Sequence, residues 1–129
     1  HVSEFLADKD IKLSTLDKKV TYHDPCHLGR HSQVYKAPRD VLSKVPGASF
    51  KEMPRNSSEA RCCGGGGGVR SAFPDLSEQI AAKRVMEADF ADVLVTTCPF
   101  CVNNLRVGKD RSQSKVEIKD LVELIDALM

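Results

Sequence analysis

Five cysteines carry the chemistry open to this chain: Cys26, the adjacent pair Cys62 and Cys63, and the Cys-Pro-Phe-Cys step of Cys98 and Cys101. Thirty-five residues separate Cys26 from Cys62, and 34 separate Cys63 from Cys98. Thiolates are soft ligands suited to iron–sulfur clusters, copper(I) and zinc. Neighbouring cysteines make poor disulfide partners, because the peptide between them strains the ring. They do well pointing at different metal atoms of one cluster. The pair runs straight into Gly64, Gly65, Gly66, Gly67 and Gly68. With no Cβ in the way, the N–H groups of Gly64, Gly65 and Gly66 are free to approach thiolate or sulfide.

Competing readings of the same cysteines stay open at this stage. A structural zinc takes four ligands and leaves one thiol over. A dithiol at Cys98 and Cys101, as in a thioredoxin-like site, leaves Cys62 and Cys63 without a role. Core packing is disfavoured, since none of the five sits in an apolar helical stripe. The candidates are therefore an iron–sulfur cluster on Cys26, Cys62, Cys63, Cys98 and Cys101, a zinc-binding or metal-free structural or assembly module, and a dithiol redox protein. Arg30, Arg61 and Arg70 flank the cysteine loops and would offset thiolate charge. His23, His27 and His31 recur every four residues, but Pro25 forbids one continuous helix through them. His27, beside Cys26, is the candidate proton donor. The glycine run fits neither GxGxxG nor GxxxxGK[ST], so no nucleotide is expected.

The elements that must position these thiols are readable from periodicity. Val2, Phe5 and Leu6 predict a short entry helix from Val2 to Ala7, followed by a polar linker from Asp8 to Lys18. Strands are expected at Val20 to His23, Ser49 to Met53, Val93 to Thr97 and Val116 to Ile118. Helices are expected from Pro38 to Pro46, from Pro74 to about Asp89 as the longest, from Pro99 to a stop at Gly108, and from an Asp120 cap with Glu123 completing a capping box. Strands and helices alternate. The fold class is α/β: a four-stranded, mostly parallel, doubly wound sheet with helices on both faces. In such sheets ligands bind beyond the carboxyl ends of the strands. Cys26, Cys62 with Cys63, and Cys98 each follow a strand and would converge at that edge.

Composition excludes other classes. A chain of 129 residues fits one domain of ordinary size. Lys and Arg number 19 against 18 Asp and Glu, a balance that argues against nucleic-acid binding. No apolar run reaches the ~18 residues a membrane span needs, and no signal-peptide pattern is present. An odd set of cysteines without an export signal points to a reducing compartment.

Three stretches together resemble a known family: Tyr22-His23-Asp24-Pro25-Cys26-His27-Leu28, Arg61-Cys62-Cys63-Gly64, and Thr97-Cys98-Pro99-Phe100-Cys101. They are similar to the signature of the cysteine-rich CCG domain. That domain occurs in heterodisulfide reductase and in the iron–sulfur subunits of glycolate and lactate oxidation, of anaerobic glycerol-3-phosphate dehydrogenase and of sulfate-reducer membrane complexes. The resemblance spans about Lys19 to Leu105. It implies a 4Fe-4S cluster on all five cysteines, the noncubane form being favoured because it takes one thiolate more, with a cubane on four cysteines as the alternative. It also implies a CCG domain at 19–129, the C-terminal one of a longer chain, behind an entry helix and linker at 1–18. Implied partners are other iron–sulfur or flavin subunits as electron donors and a quinone-linked or cytochrome subunit. The implied location is the cytoplasm, peripheral on the cytoplasmic face of a membrane complex. On this view the segment alone is one part of an oxidoreductase.

Overall fold

A computed structural model describes residues 1–129. Its strands are β1 (Lys19–Tyr22), β2 (Ser49–Phe50), β3 (Val93–Thr96) and β4 (Glu117–Asp120). Its helices are α1 (Val2–Ala7), α2 (Lys36–Ser43), α3 (Val69–Ala72), α4 (Pro74–Met86), α5 (Pro99–Ser112) and α6 (Leu121–Leu128). A π-type turn at His27–His31 and a 3₁₀ turn at Ser57–Glu59 complete the order. All strands are parallel, in the order β2-β1-β3-β4.

Alternation along the strands creates two cores. Val20, Tyr22, Val93 and Val95 face one side, where Val41 and Leu42 of α2 and Leu121, Leu124, Ile125 and Leu128 of α6 cover them. Leu94 and Ile118 face the other side, under Val85 of α4 and Val102 and Leu105 of α5. Burying one such aliphatic side chain contributes about 2 kcal/mol, which fixes the register of each strand. The expected capping box is present: the Asp120 carboxylate accepts the Val122 N–H at 2.9 Å and Glu123 accepts the Asp120 N–H at 3.0 Å. The polar linker is not idle, since Ile11, Leu13 and Leu16 pack on the α2/α6 core.

Two expectations about helices need correction. Helix α5 does not stop at Gly108 but runs 14 residues to Ser112, one longer than α4 at 13. Gly108 is a point of close approach, not a terminator: a Cβ there would lie 2.4 Å from the Ala81 carbonyl carbon. The actual stop is Gln113, left-handed at φ 56°. In α4, Leu76 and Met86 are exposed, and the buried face is Ser77, Ala81, Arg84 and Val85. Small residues there let the two helices approach closely.

The strand order turns the chain outward from β1 to β2 and then back past β1 to β3. A crevice opens at that reversal, beyond the carboxyl ends of β1 and β3. The first of these strands leads into Cys26 and the second into Cys98.

Candidate metal centre

The cysteines reach the crevice on three separate segments. Cys26 stands just before the π-type turn. Cys62 and Cys63 lie in the loop between the 3₁₀ turn and α3. Cys98 is the N-cap of α5, and Cys101 sits in its first turn. All five are free thiols; Cys63 and Cys101 are buried, Cys26 and Cys98 half-buried, and Cys62 exposed. Cys63 is the hub, interacting with the thiols of Cys101 and Cys62, while Cys101 also meets Cys98. Cys26 and Cys62 line one small cavity with Arg30 and Arg61.

The backbone around the pair is held so that its N–H groups face sulfur. The Gly64 N–H points at Cys62 Sγ at 3.3 Å and the Gly65 N–H at Cys63 Sγ at 3.4 Å. Gly66 is exposed and stands outside this arrangement. On the carbonyl side, Asn104 Nδ2 donates to Cys63 O at 2.6 Å, and Ser77 Oγ donates to Gly64 O at 2.7 Å. Gly64 is left-handed at φ +81°, and a Cβ there would lie 2.9 Å from Ile80. Here the absent side chain is a requirement of the backbone path.

The loops are tied to one another by charge. Arg39 grips the Asp24 carboxylate with two bonds, at 2.8 and 2.9 Å, and Glu52 with two more, at 2.6 and 3.0 Å. Asp24 also accepts the Ser57 N–H at 2.7 Å. One buried carboxylate thus joins the Cys26 loop to the segment that leads into Cys62.

The thiols respond strongly to this crowding. Hydrogen bonds from Cys101 and Cys62, with help from His23 and the Gly65 N–H, hold the Cys63 thiol far below its usual range. Cys62 and Cys101 are pushed up as the donors of those bonds. The Cys101 thiol and N–H groups at the start of α5 bring Cys98 down to about 6. The group sheds its first proton easily and later ones with difficulty, as anionic sulfur accumulates. A soft cation among the thiolates removes that repulsion. The linked thiols of Cys62, Cys63, Cys98 and Cys101, with Cys26 sharing a cavity with Cys62 and N–H groups aimed at two of the sulfurs, fit a thiolate-held iron–sulfur cluster.

The structure keeps His27 beside Cys26 and adds a second histidine at the thiols. His27 is exposed, with Nδ1 4.0 Å from Cys26 Sγ and its ring 5.3 Å from that of His31. The histidine at the thiol hub is His23, 1% exposed. Its ligating nitrogen and the sulfurs of Cys63 and Cys101 all lie within 4.8 Å of one another. Burial lowers its pKa, and its Nδ1 lies 3.1 Å from the Nε–H donor of Arg84. Of the flanking arginines, Arg30 donates to Ala60 O at 2.8 Å and Arg61 pairs with Glu87, while Arg70 is exposed on α3.

A family model of the cysteine-rich domain CCG matches residues 20–106, most of the chain and all five cysteines. The chain belongs to the CCG domain family. This CCG domain is 48% identical over 132 residues to one chain of the dihydromethanophenazine:CoB–CoM heterodisulfide reductase of Methanosarcina acetivorans, covering 97% of the domain's residues and 32% of that relative. It is 38% identical over 130 residues to one chain of the CoM/CoB fumarate reductase of Methanothermobacter marburgensis, covering 97% and 26%. To a probable iron–sulfur-binding oxidoreductase of Bacillus subtilis it is 34% identical over 134 residues, covering 97% and 19%. The chain thus spans about a third or less of these relatives' length. No solved structure matches it.

Several residues that build the CCG site were invisible to sequence reasoning. Arg84, 1% exposed, lies on the buried face of α4. A long cation among alanines blurs the amphipathic pattern that would reveal that face. Asn104 sits three residues after Cys101, on the same buried stripe of α5. That spacing is a usable signal, since the expected Pro99–Gly108 helix holds both residues, and it places Cys101 on the buried stripe with Val102 and Leu105, against the expectation that no cysteine would sit in one. Asp24 and Arg39 carry no local mark, since their partnership exists only across loops.

Proposed function

We propose that Cys26, Cys62, Cys63, Cys98 and Cys101 hold a 4Fe-4S cluster, of the noncubane kind, in an electron-transfer oxidoreductase. The run of neighbouring thiols from Cys98 through Cys101 and Cys63 to Cys62, with Cys26 lining a cavity beside Cys62, supports this reading. The relatives' names, which include an iron–sulfur oxidoreductase and two reductases, support it. When bound, such a cluster accepts and passes on electrons. The protein's own groups do the rest. The Gly64 and Gly65 N–H groups stabilise anionic sulfur, and the dipole of α5 does so at Cys98. Arg30 and Arg61 lower the cost of holding negative charge beside Cys26 and Cys62. Cys62, the exposed member, faces a cleft of about 650 Å³ shared with Arg55 and Lys83. It is the site's opening toward a substrate or electron donor.

The chain acts as one domain, 19–129 with an entry segment at 1–18, of a larger protein. Iron–sulfur or flavin subunits supply its electrons, and a quinone-linked or cytochrome subunit is a further partner. No helix is long and apolar enough to cross a membrane. A peripheral position on the cytoplasmic face of a membrane complex belongs to the same proposal. The whole protein either cleaves a disulfide substrate or relays electrons onward.

The test is anaerobic preparation with iron and sulfide counted per chain. About four irons and broad visible absorption are expected, with Cys62→Ser and Cys63→Ser each abolishing or converting the signal without loss of the sheet. Unchanged iron in both variants would refute five-cysteine ligation. One observation favours a second reading: the linked thiols of Cys62, Cys63, Cys101 and Cys98 number the four ligands that a single zinc takes. Colourless protein with one zinc per chain would establish it.

A further inference from the structure

His23 lies at the thiol hub, and its two ring nitrogens have different surroundings. Arg84 Nε donates to His23 Nδ1 at 3.1 Å. A guanidinium has donors only, so Nδ1 must be the acceptor and, on a neutral ring, Nε2 carries the hydrogen. That Nε2 is buried and without a hydrogen-bond partner. The ring's ligating nitrogen lies within 4.8 Å of the Cys63 and Cys101 sulfurs, and with Nδ1 turned to Arg84, Nε2 is the nitrogen left to face them. Arg84 cannot turn to offer anything else. Its Nη1 is engaged by Glu87 at 2.7 Å and its Nη2 by the Arg55 carbonyl at 2.9 Å, and the whole side chain is buried.

Metal binding through Nε2 needs the opposite tautomer. A ligating histidine bears its hydrogen on the other nitrogen and donates it to an acceptor. Here that hydrogen would confront the Nε–H of Arg84, two donors 3.1 Å apart in a site without water access. The arrangement excludes the role that proximity to Cys63 and Cys101 invites.

We propose that His23 is a hydrogen-bond donor to the cluster's sulfur, through Nε2–H to Cys63 or Cys101, and not a metal ligand, with Arg84 as the positioning residue that fixes its tautomer. This rests on the cluster reading for the nature of the acceptor. A hydrogen bond to sulfur stabilises the more negative, reduced state, so it raises the reduction potential. A cation adjoining the donor acts in the same direction.

The test uses the iron- and sulfide-loaded full chain, with metal counted first, so that failure to load a cluster is seen separately from failure of the His23 assignment. Pulsed EPR of the reduced chain carrying ¹⁵N-histidine should show only weak nitrogen coupling and an exchangeable proton near the cluster. A directly bound nitrogen overturns the proposal. His23→Leu should keep its iron and shift the reduction potential downward. His23→Gln, whose amide N–H reaches toward the place of Nε2–H, should recover most of the shift. Equal potentials in all three proteins, or selective loss of iron from His23→Leu in a folded chain, overturn it. Should His23→Leu fail to fold, ¹⁵N NMR of the His23 ring in the unaltered chain decides: Nε2–H is expected, and Nδ1–H overturns the assignment. If the chain loads a single metal instead, Co²⁺ serves as the probe. Coordination by sulfur alone supports the proposal, and a cobalt-bound histidine nitrogen overturns it.

Discussion

Gly108→Ala separates two physical effects that predict opposite signs. By helix propensity alone, alanine for glycine inside α5 should stabilise by about 1 kcal/mol. Packing says otherwise. The added Cβ would stand 2.4 Å from the Ala81 carbonyl carbon, 2.6 Å from the Ala82 nitrogen and 2.7 Å from Ala81 Cβ. Carbon atoms rest about 3.5–4.0 Å apart, and two of these neighbours are backbone, so helices α4 and α5 must separate by roughly 1 Å. A gap of that size forfeits about a quarter to a half of each contact along the seam. Overpacking of this kind costs about 3 kcal/mol at the upper end of its usual range. Subtracting the propensity gain leaves a net loss of about 2 kcal/mol. Urea unfolding with an unchanged slope reads that difference as a lower midpoint. The displacement should also be felt at the site, because α5 carries Cys101 while Ser77 of α4 and Asn104 of α5 hold the Cys63–Gly64 backbone. Iron retention should fall with stability. A neutral or raised midpoint would refute the packing argument, since propensity would then have won.

Further outcomes follow from the same contacts. Asn104→Ala removes the donor to Cys63 O and leaves a buried carbonyl unpaired; it should cost about 2 kcal/mol and loosen iron, measured by urea unfolding and chelator competition. Asp24→Asn weakens the two-bond grip of Arg39 and should destabilise by about 2 kcal/mol, the range of a hydrogen bond to a charged group, with Cys26 becoming faster to alkylate as its loop detaches. In the metal-free chain, Cys98 titrates at about 6, below the ordinary thiol value of about 8.5. Its alkylation should therefore already be near maximal at pH 7 and fall as pH drops through 6; a midpoint at the ordinary value would contradict the hydrogen bonding from Cys101.

Much of the architecture was legible because it is written in local pattern. The apolar β-branched run Val93 to Val95 reads as a buried parallel strand, and it is one. Asp120 with Glu123 announces the start of α6, and Leu121, Leu124, Ile125 and Leu128 are all buried as their spacing requires. The fate of Gly108 was not legible. A glycine reads as a stop unless a second helix is known to press against it, and Ala81 lies 27 residues away in sequence. For the same reason α4 was hard to orient: its buried face is made of small residues and one arginine, and its larger apolar side chains Leu76 and Met86 point to solvent.

By itself the sequence determined the kind of chemistry and the edge of the sheet where it belongs. Soft ligands at set spacings, each after an expected strand, need no coordinates to be recognised, since strand order and side-chain type are local properties. Only the tertiary structure decided which histidine is buried against Cys63 and Cys101, and in which tautomer. His27 is nearer in sequence to a cysteine, yet it is in solvent, whereas His23 is enclosed between Arg84 and the sulfurs of Cys63 and Cys101. Burial and the choice of donor or acceptor arise from groups 40 to 78 residues apart along the chain, and nothing short of the folded packing brings them together.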